Sequence, residues 1–107
     1  MTMSRSKALR VLPELLSPKF FKALGDPTRV GILLWLAKGR RECTVSEVAA
    51  ATTVSLSVVS RHLALLRDAG ILGHEKRGKE VIYRVQVKEL VGLLRKLADA
   101  LESCCPP

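Results

Sequence analysis

The sequence is poor in aromatic residues and in acidic residues, and it contains no long apolar run. Aromatic residues make up only 4% of the 107 residues, so the core must consist mainly of leucine, valine, isoleucine and alanine, which favours helices packed on helices. Hydrophobic residues still make up 48%, so a globular fold is expected rather than disorder. The length predicts a single domain over residues 1–107.

The apolar stretches are too short to serve as targeting or membrane segments. None approaches the ~18–20 apolar residues of a membrane-spanning helix, and Pro13 and Glu14 interrupt the N-terminal run, unlike in a signal peptide. Three cysteines are an odd number, which argues against a closed disulfide framework. We therefore expect a cytoplasmic protein with reduced thiols. The sequence has no Cys/His catalytic arrangement and no phosphate-binding glycine loop, so we expect no enzymatic activity.

Basic residues outnumber acidic ones, 18 to 10, giving a formal net charge of +8. The excess is concentrated in residues 1–41, which contain only two acidic residues, Glu14 and Asp26. Such an excess fits a polyanionic partner, with nucleic acid as the first candidate and an acidic membrane surface as the second. A solubilising surface is the alternative interpretation of the charge.

The first part of the chain predicts three helices. The first carries leucines at helical spacing and ends near Ser17, and the second spans residues 19–24 and is closed by Gly25. Asp26 and Pro27 are a helix start, with Asp as the N-cap and Pro at the first helical position. The leucines of the first helix are Leu9, Leu12, Leu15 and Leu16. The apolar face predicted for the third helix, which Gly39 ends, is Val30, Leu33, Leu34 and Ala37.

The middle of the chain predicts a helix-turn-helix. Thr44 and Glu47 have the spacing of a capping box, which opens a helix of about two turns. After a short turn at residues 52–54, Ser55 starts a longer helix that Gly70 ends. Two helices joined by three or four residues have the dimensions of a helix-turn-helix. The inward stripe of the longer helix is Val59, Leu63, Leu66 and Ala69.

Two β-prone runs and a final helix follow. Residues 71–75 and 81–85 include β-branched side chains and alternate between apolar and polar positions, which predicts a hairpin around residues 76–80. The hairpin tip is basic and is typical of a wing. The last helix, residues 87–103, carries a leucine stripe that predicts a partner, formed by Leu90, Leu93, Leu94, Leu97 and Leu101. A helix-turn-helix followed directly by a basic hairpin is a winged helix, so the predicted fold is mainly α with a small β-hairpin.

The longer helix of the motif is the candidate for reading DNA. Its N-terminal half would enter the major groove, where Arg61 could donate to guanine and the serines could contact phosphates or base edges. Arg77 and Lys79 on the wing suit phosphate or minor-groove contacts. The alternative for the helix is an ordinary solvated face with a structural His62. The alternative for the wing is a solvated hairpin tip. The full predicted DNA-binding set is Ser55, Ser57, Ser60, Arg61, His62, Arg77 and Lys79.

Three segments carry a family resemblance: FKALGDPTRVGILLWLAKG, TVSEVAAATTVSLSVVSRHLALLRDAGIL and KRGKEVIYRV. Together they resemble the ArsR/SmtB family of winged-helix metalloregulators over roughly residues 18 to 98. The resemblance implies a homodimeric transcriptional repressor of operator DNA whose first and last helices form the dimer interface. It also implies an inducer, commonly a metal or metalloid ion, that loosens DNA binding.

The known ligand sets of this family are incomplete in the chain. Zinc-sensing members place His, Asp and Glu on the last helix, and here Asp99 and Glu102 are present but no histidine follows His74. A zinc inducer is therefore not expected. Members that sense arsenic or cadmium often carry a Cys-Val-Cys motif at the first helix of the helix-turn-helix. Thr44 and Ser46 occupy those cysteine positions here.

The remaining candidate ligands are Cys104 and Cys105, at the end of the last helix, and Cys43. Adjacent thiols are poor disulfide partners but can chelate one soft ion, such as As(III), Sb(III), Hg(II) or Cd(II). Arsenite takes three thiolates, so Cys43 would have to be the third. Alternatively, Cys43 packs against Val48 as a hydrophobic staple, and the pair is an inert tail or a redox sensor.

The sequence therefore predicts a cytoplasmic repressor that an arsenical or related thiophilic inducer releases from its operator. A constitutive or redox-responsive DNA-binding regulator without a metal ligand is the alternative. A small membrane-surface or RNA-binding domain is disfavoured by the winged-helix order of elements.

Overall fold

The computed structural model describes residues 17–39 and 42–104. Within them lie five helices and one three-stranded sheet. The predicted N-terminal helix with its leucines, and Cys105, lie outside the described residues. In chain order the elements are α1 (Pro18–Leu24), α2 (Pro27–Gly39), β1 (Glu42–Cys43), α3 (Val45–Ala51), α4 (Leu56–Asp68), β2 (Leu72–Arg77), β3 (Glu80–Val85) and α5 (Val87–Cys104).

The helix starts follow from local side-chain hydrogen bonds. The Ser17 hydroxyl accepts from the Phe20 amide at 3.3 Å, and Oδ2 of Asp26 accepts from the Arg29 amide at 3.0 Å. Both helices have proline at the first position, where its missing N–H leaves no acceptor unsatisfied. These bonds satisfy amide donors that have no partner within the helix, and they confirm the predicted start at Asp26-Pro27.

The capping box predicted at the start of α3 is also confirmed. The Glu47 amide donates to the Thr44 hydroxyl at 3.1 Å, and the Thr44 amide donates to Oε1 of Glu47 at 2.9 Å. These reciprocal bonds fix the chain direction into the first helix of the helix-turn-helix.

The end of α4 is set by Gly70. Gly70 has φ +79°, a backbone conformation that glycine adopts without steric cost. Its amide donates to the Arg67 carbonyl at 2.9 Å, and the Ile71 amide donates to the Leu66 carbonyl at 3.0 Å. This is the bonding pattern of a Schellman motif. It ends α4 and directs the chain into the sheet.

The predicted apolar face of α2 is only partly right, because Leu33 packs partly buried against the core. The buried residues of α2 are Ile32 and Leu36, whereas Leu34 and Ala37 are exposed. Residues 30–37 are apolar around most of the helix circumference. Periodicity therefore fixes the helix but not the side that packs on the core.

The sheet has the strand order β1-β3-β2, and all its pairs are antiparallel. Strand β1 was not predicted, because two residues are too short to show alternation. The hairpin is tighter than predicted: Arg77 pairs with Glu80, which leaves only Gly78 and Lys79 in the turn. Gly78 has φ +62°, as the first position of a two-residue II′ hairpin turn requires.

The core lies where α1 to α4 meet the sheet. All three buried residues of α4 belong to the predicted inward stripe, and the fourth member of that stripe, Ala69, packs partly buried against them. The cluster of buried side chains that forms the core also includes Cys43 and Val48, as the staple interpretation predicts. Its members are Phe20, Ala23, Ile32, Leu36, Cys43, Val48, Val59, Leu63, Leu66, Ile71, Leu72 and Tyr83. The order of helix-turn-helix and hairpin confirms the predicted winged helix.

Candidate functional site

The N-terminal half of α4 presents a polar and basic surface. Ser57, Ser60 and Arg61 are exposed, opposite the buried stripe that holds the helix on the core. Ser55, the N-cap residue, is exposed as well, with its hydroxyl 3.4 Å from that of Ser57. Short hydroxyls beside a guanidinium can approach a base edge or a phosphate closely. The structure thus places four of the predicted DNA-binding residues on one accessible surface.

His62 lies at the edge of that surface and faces the body of the domain. Its side chain is 16% exposed, and Nδ1 lies 3.8 Å from Oδ2 of Asp26. Nδ1 also lies 3.2 Å from Nη1 of Arg29. Because arginine only donates, Nδ1 is the acceptor in this hydrogen bond. The geometry favours the structural interpretation of His62 over a base-reading one.

Arg29 joins three helices and was not identified from the sequence. Its Nε donates to the carbonyl of Ala23 at 2.7 Å and its Nη2 donates to the carbonyl of Lys22 at 2.9 Å. Together with the contact to His62, these bonds connect the end of α1, the start of α2 and helix α4. Arg29 belongs to the quoted GDPTR segment, but no sequence spacing indicates that it meets His62.

At the tip of the wing, Lys79 occupies the turn and Lys76 lies on β2 directly before its last residue, Arg77. Both lysines are exposed. An ammonium at this position can contact a phosphate independently of base sequence. The tip therefore has the charge that the wing assignment requires.

Arg77, by contrast, belongs to a group of four charged side chains on the sheet. Its Nη1 lies 3.3 Å from Oε1 of Glu42 and its Nη2 lies 2.6 Å from Oε1 of Glu75. Arg84 pairs with the same two glutamates, at 3.1 Å and 2.5 Å. We call Glu42, Glu75, Arg77 and Arg84 the charge quartet. It connects all three strands, so Arg77 has a structural role that the sequence did not reveal.

Two members of the quartet, Glu75 and Arg77, have shifted pKa values. The hydrogen bond and the positive charge of Arg77, with a smaller contribution from Arg84, lower the pKa of Glu75. The hydrogen bond from Arg77 to Glu75 in turn raises the pKa of Arg77, and the charge of Glu42 adds to this effect. Both groups are thus held in their charged forms. Contact of Arg77 with a phosphate would have to compete with two carboxylates that already hold it.

The described cysteines lie in different surroundings. Cys43 is in β1 opposite Tyr83 and is 1% exposed. Cys104 is the exposed last residue of α5. Within residues 17–39 and 42–104, no group of three or more His, Cys, Asp and Glu side chains could hold a metal ion. Cys105 lies outside the described residues, so the three-thiolate site of Cys43, Cys104 and Cys105 stays a prediction.

Helix α5 presents apolar side chains to the surface. None of its residues, all of which the structure describes, is buried. Leu90, Leu93 and Leu97 pack against the core as partly buried side chains, whereas Leu94 and Leu101 are exposed. The predicted leucine stripe therefore divides into a side that contacts the domain and a side that is exposed among the residues that the structure describes. Asp99 and Glu102 are exposed on the same helix.

Among the described residues, no single helix is long and apolar enough to cross a membrane. Helices α3 and α4 reach the required length and composition only when taken together, and they are bent by 117° relative to each other.

Known proteins resemble this chain over its whole winged helix. The model of the bacterial regulatory protein arsR family matches residues 26–73. The transcriptional repressor SmtB homolog of Synechocystis is 35% identical over 100 residues, which cover 87% of this chain and 74% of that protein. The arsenic resistance transcriptional regulator ArsR1 of Pseudomonas putida is 37% identical over 109 residues, 94% of this chain and 84% of that protein.

A solved structure shows the same fold. It is the homodimeric winged helix-turn-helix DNA-binding domain of a possible ArsR-family transcriptional regulator from Mycobacterium bovis, superposed with a TM-score of 0.64 at 30% identity. The match covers 92% of this chain and 90% of that one. Sequence and fold agree with the resemblance carried by the GDPTR, SRHLALLRDAGIL and RGKEVIYRV segments. The chain belongs to the ArsR family of bacterial regulatory proteins.

Proposed function

We propose that this chain is a cytoplasmic, homodimeric transcriptional repressor that binds operator DNA through α4 and the wing. The observation that carries the proposal is the exposed surface of Ser57, Ser60 and Arg61 on a reading helix whose opposite side is buried. A net charge of +8 supports a polyanionic partner. The relatives are repressors or regulators by name, and the M. bovis neighbour is a DNA-binding domain.

The residues are proposed to contribute in different ways. Arg61 contacts a guanine edge, so Arg61→Ala should cost about 1–3 kcal/mol on the operator and relax discrimination at one base pair. Lys79 contacts a phosphate, so Lys79→Ala should weaken all duplexes similarly and reduce the salt slope by about one unit. Arg77 is held by two glutamates, so its contribution should be smaller than that of Lys79.

The test is fluorescence anisotropy on an operator selected by the purified protein from random duplex DNA, measured over a series of salt concentrations. Lys96→Ala is the matched control, because Lys96 is exposed on α5 and its loss changes the net charge equally. If Arg61→Ala and Lys79→Ala bind like the Lys96→Ala control, the reading helix and the wing are assigned wrongly.

The homodimer is proposed to form through α5, together with the N-terminal segment. Its support is the exposed side of α5, on which Leu94 and Leu101 lie uncovered, and the homodimeric state of the M. bovis neighbour. Two-fold symmetry would place two α4 helices on successive half-sites of an operator.

The inducer is proposed to be a thiophilic species, As(III) or Sb(III) first and Hg(II) or Cd(II) second, bound by Cys104 and Cys105. Thiolates select soft ions, and Cys104 is exposed at the end of α5. The P. putida relative is named for arsenic resistance. Zinc is not proposed, because Asp99 and Glu102 have no histidine near them on α5.

Cys43 becomes a third ligand only if β1 leaves the sheet, since its side chain is 1% exposed. Arsenite titration of the protein–operator complex distinguishes a site of two thiolates from a site of three. Cys104→Ser should keep operator binding and lose the inducer response, which we expect to be about 5–150-fold. Cys43→Ser is the matched control and should respond normally if two thiolates suffice. A normal response of the Cys104→Ser, Cys105→Ser double variant would refute the thiol site, whereas the absence of any response in the wild-type protein would favour a constitutive regulator.

A further inference from the structure

Two large apolar side chains are exposed in the DNA-reading half of α4. Leu56 is 55% exposed and Val58 is 42% exposed, and both lie among the exposed serines of this surface. Valine is a poorer helix former than alanine or most straight-chain residues, because its β-branch restricts the side chain in a helix. Neither core packing nor helix formation accounts for a valine at this position.

Val58 lies beside the proposed base-reading arginine. Val58 and Arg61 are separated by three positions in α4, so their Cβ atoms are about 5–6 Å apart on the same side of the helix. Successive base pairs are separated by about 3.4 Å along the duplex. When Arg61 contacts a base edge, Val58 therefore faces a base one or two steps away.

The major groove offers one kind of apolar partner to such a side chain. Guanine, adenine and cytosine present donors and acceptors there, whereas thymine adds its C5-methyl group. The exposed serines of the same surface offer hydroxyls, which do not favour a methyl group. Only an apolar side chain stabilises contact with that methyl by removing both surfaces from water.

We propose that Val58 is a specificity-determining residue that contacts the 5-methyl group of an operator thymine, one or two base pairs from the guanine bound by Arg61. The inference rests on the proposed function, and it adds a base preference that the polar residues cannot supply. The contact predicts that the operator contains a thymine near that guanine in each half-site.

The test removes one methyl group at a time. In the selected operator, each thymine is replaced singly by deoxyuridine, which keeps Watson–Crick pairing and lacks only the methyl. Burial of one such group is worth about 0.8 kcal/mol, and a factor of ten is about 1.4 kcal/mol. The wild-type protein should therefore lose about fourfold in affinity at one thymine per half-site. Val58→Ala should bind thymine and deoxyuridine operators equally there.

Leu56→Ala is the matched variant, since it also truncates an exposed apolar side chain of α4. It should keep the fourfold discrimination at the thymine assigned to Val58. Specific operator binding without sensitivity to any deoxyuridine would overturn the inference and leave the proposed function intact. Discrimination that persists in Val58→Ala, or is lost in Leu56→Ala instead, would overturn the assignment to Val58. Absence of sequence-specific binding by the wild type would overturn the proposed function and this inference together.

Discussion

Replacing Arg29 by alanine should destabilise the domain much more than the same replacement at Arg67. Arg29 donates to two main-chain carbonyls, those of Ala23 and Lys22, and to Nδ1 of His62. Truncation would leave all three acceptors without this donor. The side chain of Arg67 donates to the carboxylate of its neighbour Asp68, in an exposed pair.

The magnitude follows from these contacts. A hydrogen bond from a charged donor contributes about 1.5–3 kcal/mol, but water replaces the exposed bond to Lys22. Counting the two part-buried bonds, and allowing for partial solvation, Arg29→Ala should cost about 2–4 kcal/mol. The exposed pair of Arg67 should be worth about 0–1 kcal/mol. A domain of this size has a total stability of about 5–15 kcal/mol. The loss expected for Arg29→Ala is therefore a large share of the total stability.

Urea unfolding followed by far-ultraviolet circular dichroism measures both losses. The variants must be compared at equal protein concentration, because the proposed subunit association would contribute to apparent stability. Arg29→Lys should recover little, since an ammonium cannot reproduce the fork of donors. If Arg29→Ala and Arg67→Ala differ by less than about 1 kcal/mol, the hydrogen bonds between the helices do not stabilise the fold as inferred.

Three further outcomes are expected. Leu94 is 44% exposed in the single chain, so Leu94→Glu should leave the subunit folded but yield monomers in sedimentation, because dimerisation would bury a carboxylate; a dimeric variant would contradict the α5 interface. Because the pKa of Glu75 is lowered in the folded state, its contribution is present above the unfolded pKa and is lost as pH falls through the folded pKa. Acid titration of Glu75→Gln should therefore show a weaker loss of stability below about pH 4.5, and an unchanged acid profile would contradict the pairing. Gly78→Ala should destabilise by about 1–2 kcal/mol, because its φ is +62°, whereas Gly92→Ala in α5 should be neutral or stabilising in the same unfolding assay.

The parts of the fold that the sequence predicts well are those set by local chemistry. Asp26 and the Thr44–Glu47 pair bond to amides within three residues, so their types and spacing suffice to indicate a helix start. Gly70 marks the end of α4 because a positive φ strongly favours glycine. The inward stripe of α4 is clear, since charged or polar residues occupy the opposite side of that helix.

The parts that could not be predicted depend on contacts between distant segments. The buried side of α2 is decided by what packs on it, because residues 30–37 offer apolar side chains in most directions. Strand β1 exists through its pairing with β3, and that pairing brings Glu42 to Arg84 across 42 positions in sequence. Arg77 therefore looked like a wing residue available for DNA.

The predicted set of DNA-binding residues separates in a similar way. The serines and Arg61 of α4 follow from helical periodicity alone, and they are exposed as predicted. The same periodicity predicted His62 as a DNA-binding residue, but its contact with Arg29 depends on how α2 packs on α4. Val58 could have been singled out from its place outside the inward stripe, yet only its exposure shows that no core residue covers it.

The positions of the cysteines imply two different routes by which an inducer could lower DNA affinity. A ligand that recruits Cys43 must first separate β1 from β3, because that thiol is buried in the strand pair. The same separation would remove Glu42 from the charge quartet, leaving Arg77 and Arg84 with Glu75 alone and loosening the base of the wing. A ligand bound only at the end of α5 leaves the sheet intact and instead acts on the helix proposed to hold the two subunits together. Since a ligand shifts an equilibrium only through its differential affinity for the two states, the first route must offset the cost of opening the sheet and the second need not. The burial of Cys43 therefore favours the second route.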